Sequence, residues 1–236
     1  MDRLIRALVG GAGLAAILGL LHGEAQGAPP GTAPPQIVAR LLQSPPITPN
    51  LFGTTALRIS AKRFWSEWER ARRDASASPE LRQLIAPARA LSRRQQIAFV
   101  QSAVDHRIKW RSDATEWGRH DYWASAAETL RHGYGDMEDR AIVKMQALRA
   151  LGVPTNDLYL TLGRDRVSGP QTVLIVRDGR TYYVLDDTGG TPYTPERRPE
   201  FQPVLTFGYG ASWVHSVPMA KTRIAGGGSS ARSTAF

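Results

Sequence analysis

Apolar side chains recur every three or four positions in three stretches of the chain, and three shorter stretches read as strands. Across 60–73, Ala61, Phe64, Trp65, Trp68 and Ala71 fall at helical spacing, with Lys62, Arg63, Arg70, Arg72 and Arg73 mostly elsewhere on the wheel. This predicts an amphipathic helix that buries an aromatic stripe under a solvated basic face. Across 92–108, Ile97, Val100, Val104 and Ile108 mark a second helix. A third opens after Gly135: Asp136 suits the cap, Asp139 suits the positive end, Ala141, Ile142, Met145 and Leu148 mark the inner face, and Gly152 and Pro154 stop it. Strands are expected at 157–162, 172–177 and 181–186, the last two joined by Asp178-Gly179, a tight-hairpin signal. Helices followed by an antiparallel sheet is an α+β order.

The ends read differently. Arg3 and Arg6 precede an uncharged run over 7–21, and Ala25-Gln26-Gly27 supplies small residues, so 1–27 reads as a cleavable secretory signal. The alternative is a membrane anchor, for which the apolar run is shorter than the roughly 20 residues a spanning helix needs. Seven prolines between 28 and 50 predict an extended, poorly packed leader. A folded domain is then expected over 51–219, followed by a flexible tail at 220–236 that contains Gly226-Gly227-Gly228-Ser229-Ser230.

With 236 residues, 42% of them hydrophobic, and a mean hydropathy of -0.30, the chain is neither wholly disordered nor a polytopic membrane protein. Its formal charge of +9 favours acidic partners. For an exported protein these are acidic envelope proteins or polymers rather than nucleic acid, with membrane contact confined to the surface. There is no cysteine, which excludes disulfides, thiolate metal sites and a cysteine nucleophile. His106, His120, His132 and His215 are too scattered to read as a zinc site, and Ser125 and Thr129 read as loop hydroxyls outside any nucleophile elbow.

One set of linked motifs carries a family resemblance. Ile108, Trp110 and Asp113 lead into Asp121-Tyr122-Trp123-Ala124, then Glu128, Leu130 and Gly133. Gly135-Asp136-Met137-Glu138-Asp139 follows, continuing through Lys144 and Leu151-Gly152-Val153-Pro154, with Val173-Leu174 and Val184-Leu185-Asp186 downstream. In these residues the chain resembles the bacterial transglutaminase-like cysteine peptidases, a family with LapG-like periplasmic members that release biofilm adhesins. The resemblance implies a papain/transglutaminase-like α+β fold and a periplasmic or secreted protein. It also implies a Cys-His-Asp arrangement in which Met137 opens a helix, while Gln171 and Asp186 lie on neighbouring strands facing it.

Carried over residue by residue, the nucleophile position is Met137, the histidine position is Gln171, and the third is Asp186. A thioether has no proton to lose, and an amide is no general base near neutral pH. The expectation is therefore a pseudo-peptidase that binds or regulates. The rival is a hydrolase that uses replacement carboxylates such as Glu138 and Asp186 in the same cleft. Ala126 stands where the family usually has proline, which puts the local loop shape in question. In LapG-like members the acids flanking the nucleophile help bind calcium, which implies Asp136 and Glu138 as ligands here. Capping by Asp136 and Asp139, with Glu138 solvated, accounts for the same acids without a metal. Tyr122 and Trp123 either line a persisting cleft or pack the core.

Overall fold

The computed structural model describes residues 47–216, so the expected signal, the leader up to residue 46 and the expected tail lie outside the described residues. A short strand, β1 (Thr55–Ile59), precedes helices α1 (Trp65–Ala71), α2 (Pro79–Ile85) and α3 (Arg93–Arg107). Then come β2 (Lys109–Trp110), α4 (Asp113–Glu116), α5 (Ala126–His132), β3 (Tyr134–Gly135) and the long helix α6 (Met137–Ala150). Strands β4 (Leu158–Asp165), β5 (Gly169–Asp178), β6 (Thr181–Leu185), β7 (Phe201–Gly208) and β8 (Ser212–Ser216) complete the chain. With β1 they form one antiparallel sheet in the order β1-β8-β7-β4-β5-β6. This is the expected α+β class, with α6 packed on β4 and β5.

Alternation along β5 divides the core in two. Leu174 and Val176 join α6, α3 and Trp123 in the larger cluster. Val173 and Ile175 face Tyr159, Phe201 and Trp213 on the other side. Helix α6 is buried more completely than its apolar stripe predicted, since every residue from Glu138 to Leu148 is buried. Its two buried cations are neutralised within the fold: Asp105 accepts from Arg140 at 2.8 Å and from Lys144 at 2.7 Å. Lys144 Nζ also donates to the Asp186 carbonyl, and burial pushes its pKa down.

Three expectations need correction. The helix foreseen over 60–73 is a 3-10 turn, Lys62–Phe64, followed by the shorter α1. Phe64, Trp68 and Ala71 are buried, but Trp65 is 61% exposed. Neighbours on a helix point about 100° apart, so Phe64 and Trp65 cannot both face the core. The last residues of the proline-rich stretch are mostly exposed but tied down at three points: Pro49 is buried, Asn50 Oδ1 accepts from the Ala56 N–H at 2.9 Å, and Tyr159 donates to the Ile47 carbonyl. Ser125 and Thr129 are not loop hydroxyls. Ser125 caps α5 in a reciprocal pair with Glu128, and Thr129 is fully buried within that helix. Ala126 takes the first helical position, where proline is also favoured, so the local shape survives its loss.

His215 on β8 is buried between Thr54 and Thr206 hydroxyls, each 2.8 Å from a ring nitrogen, and burial pushes its pKa from 6.5 to about 4. A base held neutral in the fold contributes stability in full above its unfolded pKa, and that contribution is lost as pH falls from 6.5 towards 4. The expected loss is about 3 kcal/mol between pH 7 and pH 4, at roughly 1.4 kcal/mol per unit. Urea unfolding of the wild type and His215→Gln at both pH values checks it. The wild type should lose more than the variant by that amount; equal losses would show that His215 charges freely in the fold.

Candidate functional site

The first turn of α6 is built from its acids. Asp136 is the N-cap, its Oδ1 accepting from the Glu138 and Asp139 N–H groups. Gly135 is required just before it, because a Cβ there would lie 2.7 Å from Asp139 Cβ and 3.0 Å from Thr129 Cγ2. The parallel pairing of Lys109 with Tyr134 and of Trp110 with Gly135 carries Asp113 alongside Asp136. Asp113, Asp136 and Asp139 thus each offer an oxygen within 4.8 Å of the others.

The segment from Asp121 to Ala124 is draped over this cluster. The Tyr122 N–H donates to Asp113 Oδ2, and the Ala124 N–H donates to Asp139 Oδ1 at 2.8 Å. Asp113 Oδ1 and Asp139 Oδ2 are left buried with no hydrogen-bond partner. Burial, reinforced by the neighbouring Asp136, pushes the Asp113 pKa to about 6 and that of Asp139 well above the usual carboxylate range. Asp136 is raised as well, burial again dominating. Three converging carboxylates with two orphaned oxygens are the donor set a hard cation such as calcium takes, though it needs six to eight oxygens in all, the remainder from carbonyls or water.

Glu138, one of the two expected ligands, hydrogen-bonds its carboxyl to that of Asp136 but is not one of the three converging acids. Its side chain is 3% exposed and its Oε1 accepts from Thr172 Oγ1 at 3.2 Å, while burial holds its pKa well above the ordinary value. Asp113, which the sequence showed only as part of the motif leading in, takes its place. Trp123 is 2% exposed and meets Phe207 edge-on at 5.6 Å, so it packs the core rather than lining a cleft. Tyr122 is half-buried: its ring lies 5.0 Å from that of Trp117, with the Arg70 and Arg119 guanidiniums 4.4 and 5.1 Å from its centroid.

Met137 is the first residue of α6 and half-buried. The Thr172–Glu138 hydrogen bond joins this turn to β5 one residue beyond Gln171. Gln171 alternates with Thr172 and lies on the face of Val173, away from α6, which corrects the expectation that it faces Met137: strand alternation turns Thr172, not Gln171, towards the helix. Its Nε2 donates to Ser168 Oγ at 2.8 Å, and its Oε1 is buried without a partner. Asp186 follows β6, and both of its oxygens are engaged. Oδ1 accepts from the Thr188 N–H and hydroxyl, and Oδ2 accepts from Tyr193 Oη at 3.0 Å and Arg198 Nη1 at 2.8 Å. Arg198 also bridges to Asp165, whose Oδ1 accepts from the Ser168 N–H. Gln171 and Asp186 are therefore linked through Ser168, Asp165 and Arg198, and none of these contacts joins them directly. Arg198 had no signal in the local motifs, since it lies beyond them and meets Asp186 only through the loop that follows β6.

Comparison with known proteins places this arrangement. A family model described as bacterial transglutaminase-like cysteine proteinase matches residues 68–191. No curated protein sequence matches. Among solved structures, Legionella pneumophila LapG is 22% identical, with 67% of this chain and 90% of that one covered at a TM-score of 0.51. Its calcium-bound form is 23% identical over 66% of this chain and 88% of that one, also at 0.51. An EGTA-treated form of the same protein is matched equally well, with a TM-score of 0.51 and 22% identity over 67% of this chain and 87% of that one. At this identity the likeness concerns the fold.

Proposed function

The chain belongs to the bacterial transglutaminase-like cysteine proteinase family, and from that premise we propose that it is a catalytically degenerate member serving as a binding or regulatory protein of the cell envelope. One observation carries the reading: the residue that opens α6, where the family's motif has its nucleophile, is Met137, in a chain with no cysteine at all. Gln171 offers an amide in place of the base, and the Asp186 carboxylate is spent on Arg198, Tyr193 and Thr188. The degenerate reading is favoured over the hydrolase alternative because Glu138 is buried against Thr172 and both Asp186 oxygens accept hydrogen bonds.

Calcium belongs to the same proposal. Asp113, Asp136 and Asp139 would hold it, and its charge would offset the repulsion that raises their pKa values. Export rests on Arg3, Arg6 and the uncharged run after them, and an acidic partner rests on the charge of +9. Among the described residues no helix is long and apolar enough to cross a membrane.

The test of inactivity is hydrolysis of an internally quenched peptide library by the purified full-length chain, with and without calcium. Background rates are expected in both. Turnover that Asp186→Ala abolishes in a variant with unchanged circular dichroism would overturn the proposal.

A further inference from the structure

A groove of about 520 Å³ opens between β1, α1 and the β7–β8 turn, at the end of the sheet opposite β6. Trp68 and Tyr209 form its floor, and Ile59 and Trp65 form its walls. Trp65 presents 61% of its surface to solvent. Leu57, 55% exposed, shares a face of β1 with Ile59 and extends the apolar strip along that strand. Among the described residues, two of the five large exposed hydrophobic side chains therefore lie in or beside one groove, whereas scattered single ones would need no explanation. The Tyr209 hydroxyl is already bonded to Gln146, so its ring rather than its polar tip is what the groove offers.

The rim decides what fits. Lys62 and Arg72 line it, and no carboxylate does. Arg72 pairs with the neighbouring Glu69 at 2.7 Å, both side chains half-buried, so Lys62 is the exposed cation of the rim. Arg58 stands at the same turn, donating to the Gly210 carbonyl. We propose that this groove docks an acidic segment of a partner polypeptide, with an apolar anchor side chain seated on Trp65, Trp68 and Tyr209 and its carboxylates facing Lys62 and Arg72. Charge selects this occupant over the others. A second copy would bring +9 against a basic rim. Residues 217–236 carry Lys221, Arg223 and Arg232 with no acid, and residues 1–46 carry Arg3, Arg6 and Arg40 against Asp2 and Glu24, so both ends of the chain are cationic. Like charges facing each other across an interface disfavour both arrangements.

The proposal deepens the reading of a binding protein by naming its surface, and it does not depend on the state of Met137. The full-length protein is titrated, by fluorescence anisotropy, into a labelled peptide with one central Trp flanked by Asp and Glu. Comparison peptides carry Lys in the flanks or Ala at the centre. Only the acidic Trp peptide should bind, with affinity falling as salt rises. Trp65→Ala and Lys62→Glu should each weaken it about tenfold or more, an exposed anchor and a rim charge being the groups removed. Arg180→Glu, the same charge change in the β5–β6 turn at the far edge of the sheet, should leave it unchanged. Equal binding of the Lys-flanked peptide, indifference to Trp65→Ala, equal weakening by Arg180→Glu, or a dimer in sedimentation that Trp65→Ala dissolves would each overturn the proposal. Peptidase activity in the wild type would sink the pseudo-peptidase reading and leave this one standing.

Discussion

Met137→Cys will leave peptide hydrolysis at background, and adding Gln171→His will not raise it, because position 171 lies on the face of β5 away from α6. A thiol at the first position of α6 would feel the positive end of the helix, which favours the thiolate. Asp136, Glu138 and Asp139 surround that position with negative charge and oppose it. Without an imidazole beside it the thiol stays protonated and inert. An imidazole at 171 would stand on the other face of β5, and the site also lacks a free orienting carboxylate, because Asp186 Oδ2 is held by Arg198 at 2.8 Å. Full activity is therefore not expected from two changes. Single-turnover hydrolysis of an internally quenched peptide, with iodoacetamide labelling rates for the thiol, makes the comparison. A double variant at least about 100-fold faster than the single one would overturn this placement of position 171 and assign it the role of base.

Calcium will stabilise the folded protein, and Asp113 and Asp139 will matter where Glu138 does not. Two buried carboxylate oxygens without partners, on residues whose pKa values burial and Asp136 push up, cost the fold stability at neutral pH. An ion that binds only the folded state at about a hundred times its dissociation constant adds about 2.7 kcal/mol. That shifts the thermal midpoint by roughly 5–10 °C in a domain of this size. Magnesium should do less, since it demands tighter octahedral geometry and gives up water reluctantly. In Asp113→Asn and Asp139→Asn the increment should shrink or vanish, while the midpoint in chelator stays level or rises as repulsion is relieved. Glu138→Gln should keep most of the increment, because its carboxyl lies against Thr172 and reaches only Asp136 of the three acids. Melts of the four proteins in EGTA, magnesium and calcium settle it. Identical wild-type midpoints in all three would leave these acids as capping and packing groups, and an increment lost only in Glu138→Gln would return the site to the residues flanking Met137.

The elements that could be read from local pattern are those whose punctuation lies inside them. Helix α6 has its cap in Asp136 and its stop in Gly152 and Pro154, and the β5–β6 hairpin has Gly179 at φ +61. Strands β1 and β8 had no such signal. They are five residues each, with few apolar positions, and pair across more than 150 residues of chain, Thr55 with Ser216 and Ile59 with Ser212. Strand β7 carries Pro203 in its interior, which argues locally against a strand. Among the site residues, Asp113 escaped notice as a ligand because the β2–β3 pairing that delivers it is two residues long, too short to leave a period.

The sequence by itself determined that this member of the family carries no cysteine, because the nucleophilicity of a thiol belongs to a single side chain and its absence can be read without coordinates. The helix that holds Met137 at its start was equally legible, since capping is settled within four residues. Tertiary structure alone decided which carboxylates meet, that Asp186 answers to Arg198, and that of two adjacent aromatic residues Phe64 is buried while Trp65 faces solvent. Those outcomes depend on segments far apart in the chain competing for the same volume, and on burial that changes what a charge costs, which no local spacing records.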